Sequence, residues 1–158
     1  SSTNETMSGN LLAVYNRLRE QQFSQAFEIR SSMRTQATTG IWTVLRQLRE
    51  LACADVIVVD DYFSLFESIE VNPNVRVVQV WHAGVGFKNV GYSRFGETGS
   101  PSLDSAHRQY SHAIAPSTAM VPVYAEAFGI ETSSVIPTGM PRTDDLPAGI
   151  MAKAVYTT

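Results

Sequence analysis

The chain has 158 residues, the size of one domain, and could bury roughly 68–70% of its unfolded surface around a single core. Twelve basic and fifteen acidic side chains give a net charge of −3, so nothing marks the whole surface for nucleic acid. Cys53 is the one cysteine, so no disulfide can close within the chain, and no stretch approaches the roughly 20 apolar residues of a membrane span.

The polar start Ser1–Thr6 is not a signal peptide, and together with the single cysteine it points to a cytoplasmic protein. Leu11, Leu12, Val14, Tyr15 and Leu18 then recur at helical spacing, which predicts a helix over Gly9–Gln21. A β/α fold ought to open with a strand that receives such a helix, so a first strand upstream is expected. Ala26–Arg30 alternates apolar and polar and reads as a short strand; Ser31–Gly40 reads as loop. From Ile41 the series Trp42, Leu45, Leu48, Leu51 predicts a second helix with Arg46 and Arg49 beside it. Its apolar side is expected in the core, with a membrane-surface helix as the alternative. Cys53 is expected to be a small buried residue.

Ala54–Asp61 is the clearest strand. Asp60 and Asp61 close it, and neighbours on a strand point to opposite faces, so they do not read as a joint metal site. Tyr62–Glu67 reads as one helical turn and Asn72-Pro73-Asn74 as the turn that launches the central strand. That strand, Val75–Val80, is β-branched apart from Arg76 and Gln79 and runs into Trp81-His82-Ala83-Gly84-Val85-Gly86-Phe87-Lys88. A buried strand that ends in a histidine, two glycines and a lysine is how a parallel sheet delivers reactive groups to its carboxyl end. Gly84 and Gly86 allow positive φ or close approach to a ligand, and Lys88 supplies a cation for an anion. The glycines do not complete a dinucleotide fingerprint, because Asn89 stands where the third would be.

Asn89–Ser102 reads as a long binding loop or lid, and Ser102 or Asp104 as the cap of a short helix reaching Tyr110. His112–Ala115 is a further strand. Pro116-Ser117-Thr118 opens a helix through Phe128, closed by Gly129. Ser134–Pro137 is the last strand, followed by a second turn, Thr138–Leu146, with Gly139, Pro141, Arg142 and Asp144. Alternation of strand and helix about five times predicts an α/β fold with a Rossmann-like, doubly wound parallel sheet and ligands at the carboxyl ends of its strands. His107 and His112 read as structural. No histidine, cysteine or carboxylate cluster has ligand spacing, so no metal is expected.

Two turns taken together carry a resemblance. Trp81-His82-x-Gly84 with Lys88, and Gly139-x-Pro141-Arg142-x-Asp144 after a later strand, resemble the signatures of the CDP-glycerol glycerophosphotransferases that build teichoic acid. Ala54–Asp60, and Ala115-Pro116-Ser117 followed by Phe128 and Gly129, fall in the order that family shows. The likeness runs roughly from Ser8 to Leu146, with departures at Ala83, where the family has glycine, and at Thr143, where asparagine is typical. It implies one half of a two-domain, glycosyltransferase-like architecture of the B type. Residues 1–147 would be the amino-terminal, acceptor-side domain, and 148–158 a tail leading toward a carboxyl-terminal nucleotide-binding domain.

The implied reaction transfers glycerol phosphate, or a related alditol phosphate, from CDP-glycerol or a related CDP-alditol to a hydroxyl of a polymer or lipid-linked acceptor, releasing CMP. No cofactor is implied. His82 would be the general base, since an imidazole with an ordinary pKa near 6.5 can take the hydroxyl proton. Lys88 and Arg142 would bind phosphate, with Gly84, Gly86, Gly139 and Ser117 around the substrate and Asp144 orienting its turn. For Arg142 a salt bridge to Asp144 or Asp145 is the alternative. The implied location is the cytoplasm, at the inner face of the plasma membrane, with peripheral membrane contact. The 158 residues alone are expected to be inactive. A nucleotide-sugar glycosyltransferase or epimerase of the same fold, or a non-catalytic binding module, would share these features.

Overall fold

The computed structural model describes residues 7–32, 40–82, 91–94 and 106–144. Four short strands, β1 (Val56–Val59), β2 (Arg76–Gln79), β3 (His112–Ile114) and β4 (Val135–Ile136), form one parallel sheet in the order β1-β2-β3-β4. Val58 pairs with Val78, Val78 with His112, and Ala113 with Val135. Bonds just outside the strands lengthen each ladder: Val80 N donates to Val59 O at 2.8 Å and Ala115 N to Ile136 O at 2.9 Å. The parallel α/β sheet is the one the alternation predicts. Among the described residues the 3₁₀ turn Ser64–Glu67 lies between β1 and β2, the 3₁₀ turns Gly91–Arg94 and Ala106–Gln109 between β2 and β3, and the helix Val121–Phe128 between β3 and β4.

Among the described residues three α-helices accompany it: α1 (Gly9–Glu20), α2 (Ile41–Ala52) and α3 (Val121–Phe128). α3 builds the core. Its Tyr124, Ala125, Ala127 and Phe128 are buried with Val77, Ala113 and Val135 of the sheet and with Phe66, Trp81 and Tyr110. Phe128 is the hub, its ring 5.5 Å from Trp81, 5.6 Å from both His107 and Tyr110, and 5.8 Å from Tyr124. Full burial of such a ring stabilises by about 1.5–3 kcal/mol. Gly129 ends α3 at φ +64, the left-handed position where a β-carbon is strained. A β-carbon there would also come within 2.6 Å of the Tyr92 ring.

Several expectations need correction. Ala26–Arg30 is not a strand. Phe27 N donates to Phe23 O at 2.8 Å and the two rings stack 6.1 Å apart, so helical i,i+4 spacing overrides the alternation that follows it. The side chains of Glu28 and Arg30 then pair locally, with no strand beside them. α2 forms as predicted, but none of its residues is buried: Trp42 is 81% and Ile41 71% exposed, and only Leu51, near its end, packs against the core. Cys53 is exposed rather than buried, because it caps the carboxyl end of that helix.

The helix expected from Ser117 opens as a 3₁₀ turn, Thr118–Met120, and becomes α-helical at Val121, with Pro122 in the first turn where its missing N–H costs nothing. Within the stretch read as a long loop, Gly91–Arg94 forms a 3₁₀ turn against α3. The short helix before Tyr110 is a 3₁₀ turn, Ala106–Gln109. Ser102, Asp104, Gly84, Gly86 and Lys88 lie outside the described residues. No described helix is long and apolar enough to cross a membrane.

Candidate active site

A parallel sheet places every strand's carboxyl end at one edge, and the polar residues singled out in the sequence collect there. Asp60 and Asp61 follow β1, Trp81 and His82 follow β2, Ser117 follows β3, and Gly139 to Asp144 follow β4.

His82 Nδ1 lies 2.8 Å from the backbone oxygen of Asp60. A carbonyl oxygen can only accept, so Nδ1 carries the proton and the lone pair remains on Nε2. Asp61 Oδ1 stands 3.8 Å from the same Nδ1 and itself accepts the N–H of Tyr62 at 2.7 Å. The imidazole also lies against the Trp81 indole, 4.7 Å between centroids.

Trp81 delivers the histidine from an unusual backbone. Its φ is +42, a conformation that costs a bulky residue of order 1–3 kcal/mol and persists only where the surroundings over-determine it. Two wholly buried amides do so. Gln79 Oε1 accepts the Trp81 N–H at 2.8 Å while its Nε2 donates to Asp61 O at 3.2 Å. Asn10, in the first turn of α1, donates from Nδ2 to Trp81 O and to Val80 O, the latter at 3.0 Å. Asn10 Oδ1 then accepts the backbone N–H of Arg142 at 3.1 Å. One side chain therefore ties the turn after β2 to the turn after β4.

The second turn is the 3₁₀ segment Pro141–Thr143, against which α1 packs. Gly139 enters it at φ +88, a left-handed conformation, with its N–H on Ala115 O at 3.1 Å. Thr143 Oγ1 donates to Met140 O at 2.6 Å. The Arg142 side chain is exposed, and among the described residues no ion pair joins it to Asp144. Asp144 and Ser117 are exposed at the same edge without a hydrogen bond to His82 or Arg142, and Ser117 makes no side-chain cap. Lys88, Gly84 and Gly86 fall outside the described residues. Among those described, no group of three or more potential metal ligands comes together.

His107 is structural, as its sequence context predicted. It is 4% exposed, with its ring 5.0 Å from Tyr62 and 5.4 Å from Tyr110, and among the described residues Nδ1 has no hydrogen-bond partner. Burial pushes its pKa down to about 4, against a smaller opposing pull from Glu67. Burial likewise pushes the Tyr110 hydroxyl up.

Asn10 and Gln79 are the residues sequence reasoning missed. Gln79 left a trace, since a polar side chain inside a β-branched strand must find partners when buried. Asn10 left none beyond a polar helix start, because its partners lie 70, 71 and 132 positions away.

The described residues thus form a parallel α/β sheet with a histidine turn and an arginine turn pinned together at its carboxyl edge. The chain belongs to the CDP-glycerol:poly(glycerophosphate) glycerophosphotransferase family, whose model matches residues 1–154. It is 41% identical over 149 residues, 92% of its length, to the teichoic acid ribitol-phosphate polymerase TarL of Staphylococcus aureus. It is 36% identical over 141 residues, 87% of its length, to a teichoic acid poly(ribitol-phosphate) polymerase of Bacillus spizizenii. These matches span 26% and 22% of the relatives' own lengths, so the chain corresponds to about a quarter of each. The fold matches the structure of the wall teichoic acid polymerase TagF with a TM-score of 0.63 at 13% identity, over 92% of this chain and 38% of that one. The expectation of a parallel α/β fold is met by this match.

Proposed function

We propose that this chain is part of an enzyme that extends a teichoic-acid-like polymer by transferring an alditol phosphate from a CDP-alditol, with His82 as general base. The observation that carries the reading is the 2.8 Å contact between His82 Nδ1 and Asp60 O, which leaves the Nε2 lone pair available to accept a proton. The acceptor hydroxyl loses its proton to Nε2 as its oxygen attacks the phosphorus that bears the alditol. The bond from that phosphorus to the oxygen of the CMP phosphate breaks, and CMP leaves with the electron pair. Positioned base catalysis of this kind is worth about 10²–10⁴ in rate. The exposed Arg142 guanidinium can pair its planar fork with phosphate oxygens, and Lys88, Ser117 and the glycines Gly84, Gly86 and Gly139 are proposed around the same phosphate. Asp144 closes the Arg142 turn, its N–H on Pro141 O at 3.2 Å.

The family description names CDP-glycerol, whereas the relatives at 41% and 36% identity are ribitol-phosphate polymerases. We therefore favour CDP-ribitol as the donor. Ile41, Trp42 and Leu45, exposed on α2 beside Arg46 and Arg49, support peripheral contact with an anionic membrane surface, where a lipid-linked acceptor would be met. The test is CMP release by the full-length protein from CDP-ribitol and from CDP-glycerol, with His82→Ala alongside. Release from CDP-ribitol that disappears in the folded variant supports the reading. Release from neither donor, or equal release by both proteins, overturns it.

A further inference from the structure

We propose that Asn10 is a positioning residue, whose amide holds the peptide carrying His82 and the backbone of the Arg142 turn in one fixed relation; this rests on the roles given above to His82 and Arg142. Asn10 is wholly buried in the first turn of α1, and asparagine contributes little to a helix interior. Its bonds go elsewhere. Both N–H donors of Nδ2 are used, on Val80 O and Trp81 O, and Oδ1 takes the N–H of Arg142. None of these three partners belongs to α1.

The matching is specific to an amide. Asn10→Asp would set a carboxylate against two carbonyl oxygens, and Asn10→Ala would leave two acceptors and a donor unpaired in the interior. Trp81 at φ +42 would then be free to relax, and the peptide that launches His82 would turn with it. The contact between His82 Nδ1 and Asp60 O would be lost, and with it the fixed lone pair on Nε2. A displacement of about 1 Å is enough to cost roughly 10²-fold in rate.

The test uses the full-length protein with ¹⁵N-labelled histidine as wild type, Asn10→Ala, Asn10→Asp and Phe66→Leu, the last being a core variant outside the Asn10 hydrogen bonds. Long-range proton–nitrogen spectra report which ring nitrogen is protonated, and His82→Gln identifies the signals. We expect the Nδ1–H form of His82 in wild type and Phe66→Leu, mixed tautomers in the Asn10 variants, and a loss of about 10²-fold in their kcat for CMP release. If both Asn10 variants fail to fold, Asn10→Ser, which keeps a hydroxyl donor, takes their place in the comparison. Unchanged His82 signals in a folded Asn10 variant, or a loss of kcat no larger than in Phe66→Leu, would overturn the proposal. Mixed tautomers in the variants, with no turnover by wild type from either donor, would remove the transfer reading and uphold the positioning role.

Discussion

The backbone N–H of Arg142 donates to the side-chain oxygen of Asn10 at 3.1 Å, across 132 positions of sequence. Through the same amide the Trp81-His82 turn is held by Asn10 Nδ2. The two motifs that stand far apart in the chain are thus one rigid edge, and their side chains can be removed separately from the scaffold that carries them.

For His82 that separation is testable. Its side chain is 48% exposed, and among the described residues its hydrogen bond is to the backbone oxygen of Asp60. His82→Ala should therefore lower kcat by about 10²–10⁴ while the thermal midpoint moves by no more than a few degrees. A midpoint that collapses with the activity would show that the histidine serves the fold instead.

Gln79 should behave in the opposite way. Both ends of its buried amide are used, on the Trp81 N–H and on Asp61 O. Gln79→Leu leaves the buried Trp81 N–H without this partner and should destabilise by about 1–3 kcal/mol, the cost of one orphaned buried group. Denaturant titration measures it; a change below about 0.5 kcal/mol would mean that Trp81 holds its φ of +42 without this support.

Much of this was legible in the sequence. β1, β2 and β3 announce themselves as short apolar runs, and His82 and Arg142 stand out because polar and glycine residues crowd where those runs stop. Ala26–Arg30 misled because an alternating pattern says nothing about whether a neighbouring strand exists, whereas Phe23 and Phe27 had the spacing of a helical turn. α2 misled because amphipathicity predicts a stripe and not what covers it. Asn10 was invisible because its importance is set wholly by residues 70 or more positions away.

Gly129 and Gly139, two of the four described glycines with positive φ, should differ in their tolerance of a side chain. At Gly139 a β-carbon meets open space, so Gly139→Ala carries only the conformational cost, about 1–2 kcal/mol. At Gly129 a β-carbon would lie 2.6 Å from the Tyr92 ring in addition. Gly129→Ala should therefore be the more destabilising of the two. Equal losses on denaturant titration would mean that Tyr92 swings clear without cost.

His107 should make the fold acid-sensitive. Its pKa in the fold is about 4, below the ordinary 6.5 of an exposed imidazole, so between those values the unfolded chain binds a proton that the folded chain refuses. Stability attributable to this group is complete above about pH 6.5 and falls by about 1.4 kcal/mol per pH unit as the pH drops toward 4, or roughly 3 kcal/mol in all. His107→Phe keeps a ring among Tyr62, Tyr110 and Phe128 and abandons no hydrogen bond at Nδ1. Any cost of fitting the larger ring is independent of pH, so the comparison lies in the slopes. The variant's unfolding free energy should decline less steeply than wild type's between about pH 6.5 and pH 4. Parallel slopes would show that His107 takes up its proton without disturbing the fold, and that carboxylates alone govern its acid denaturation.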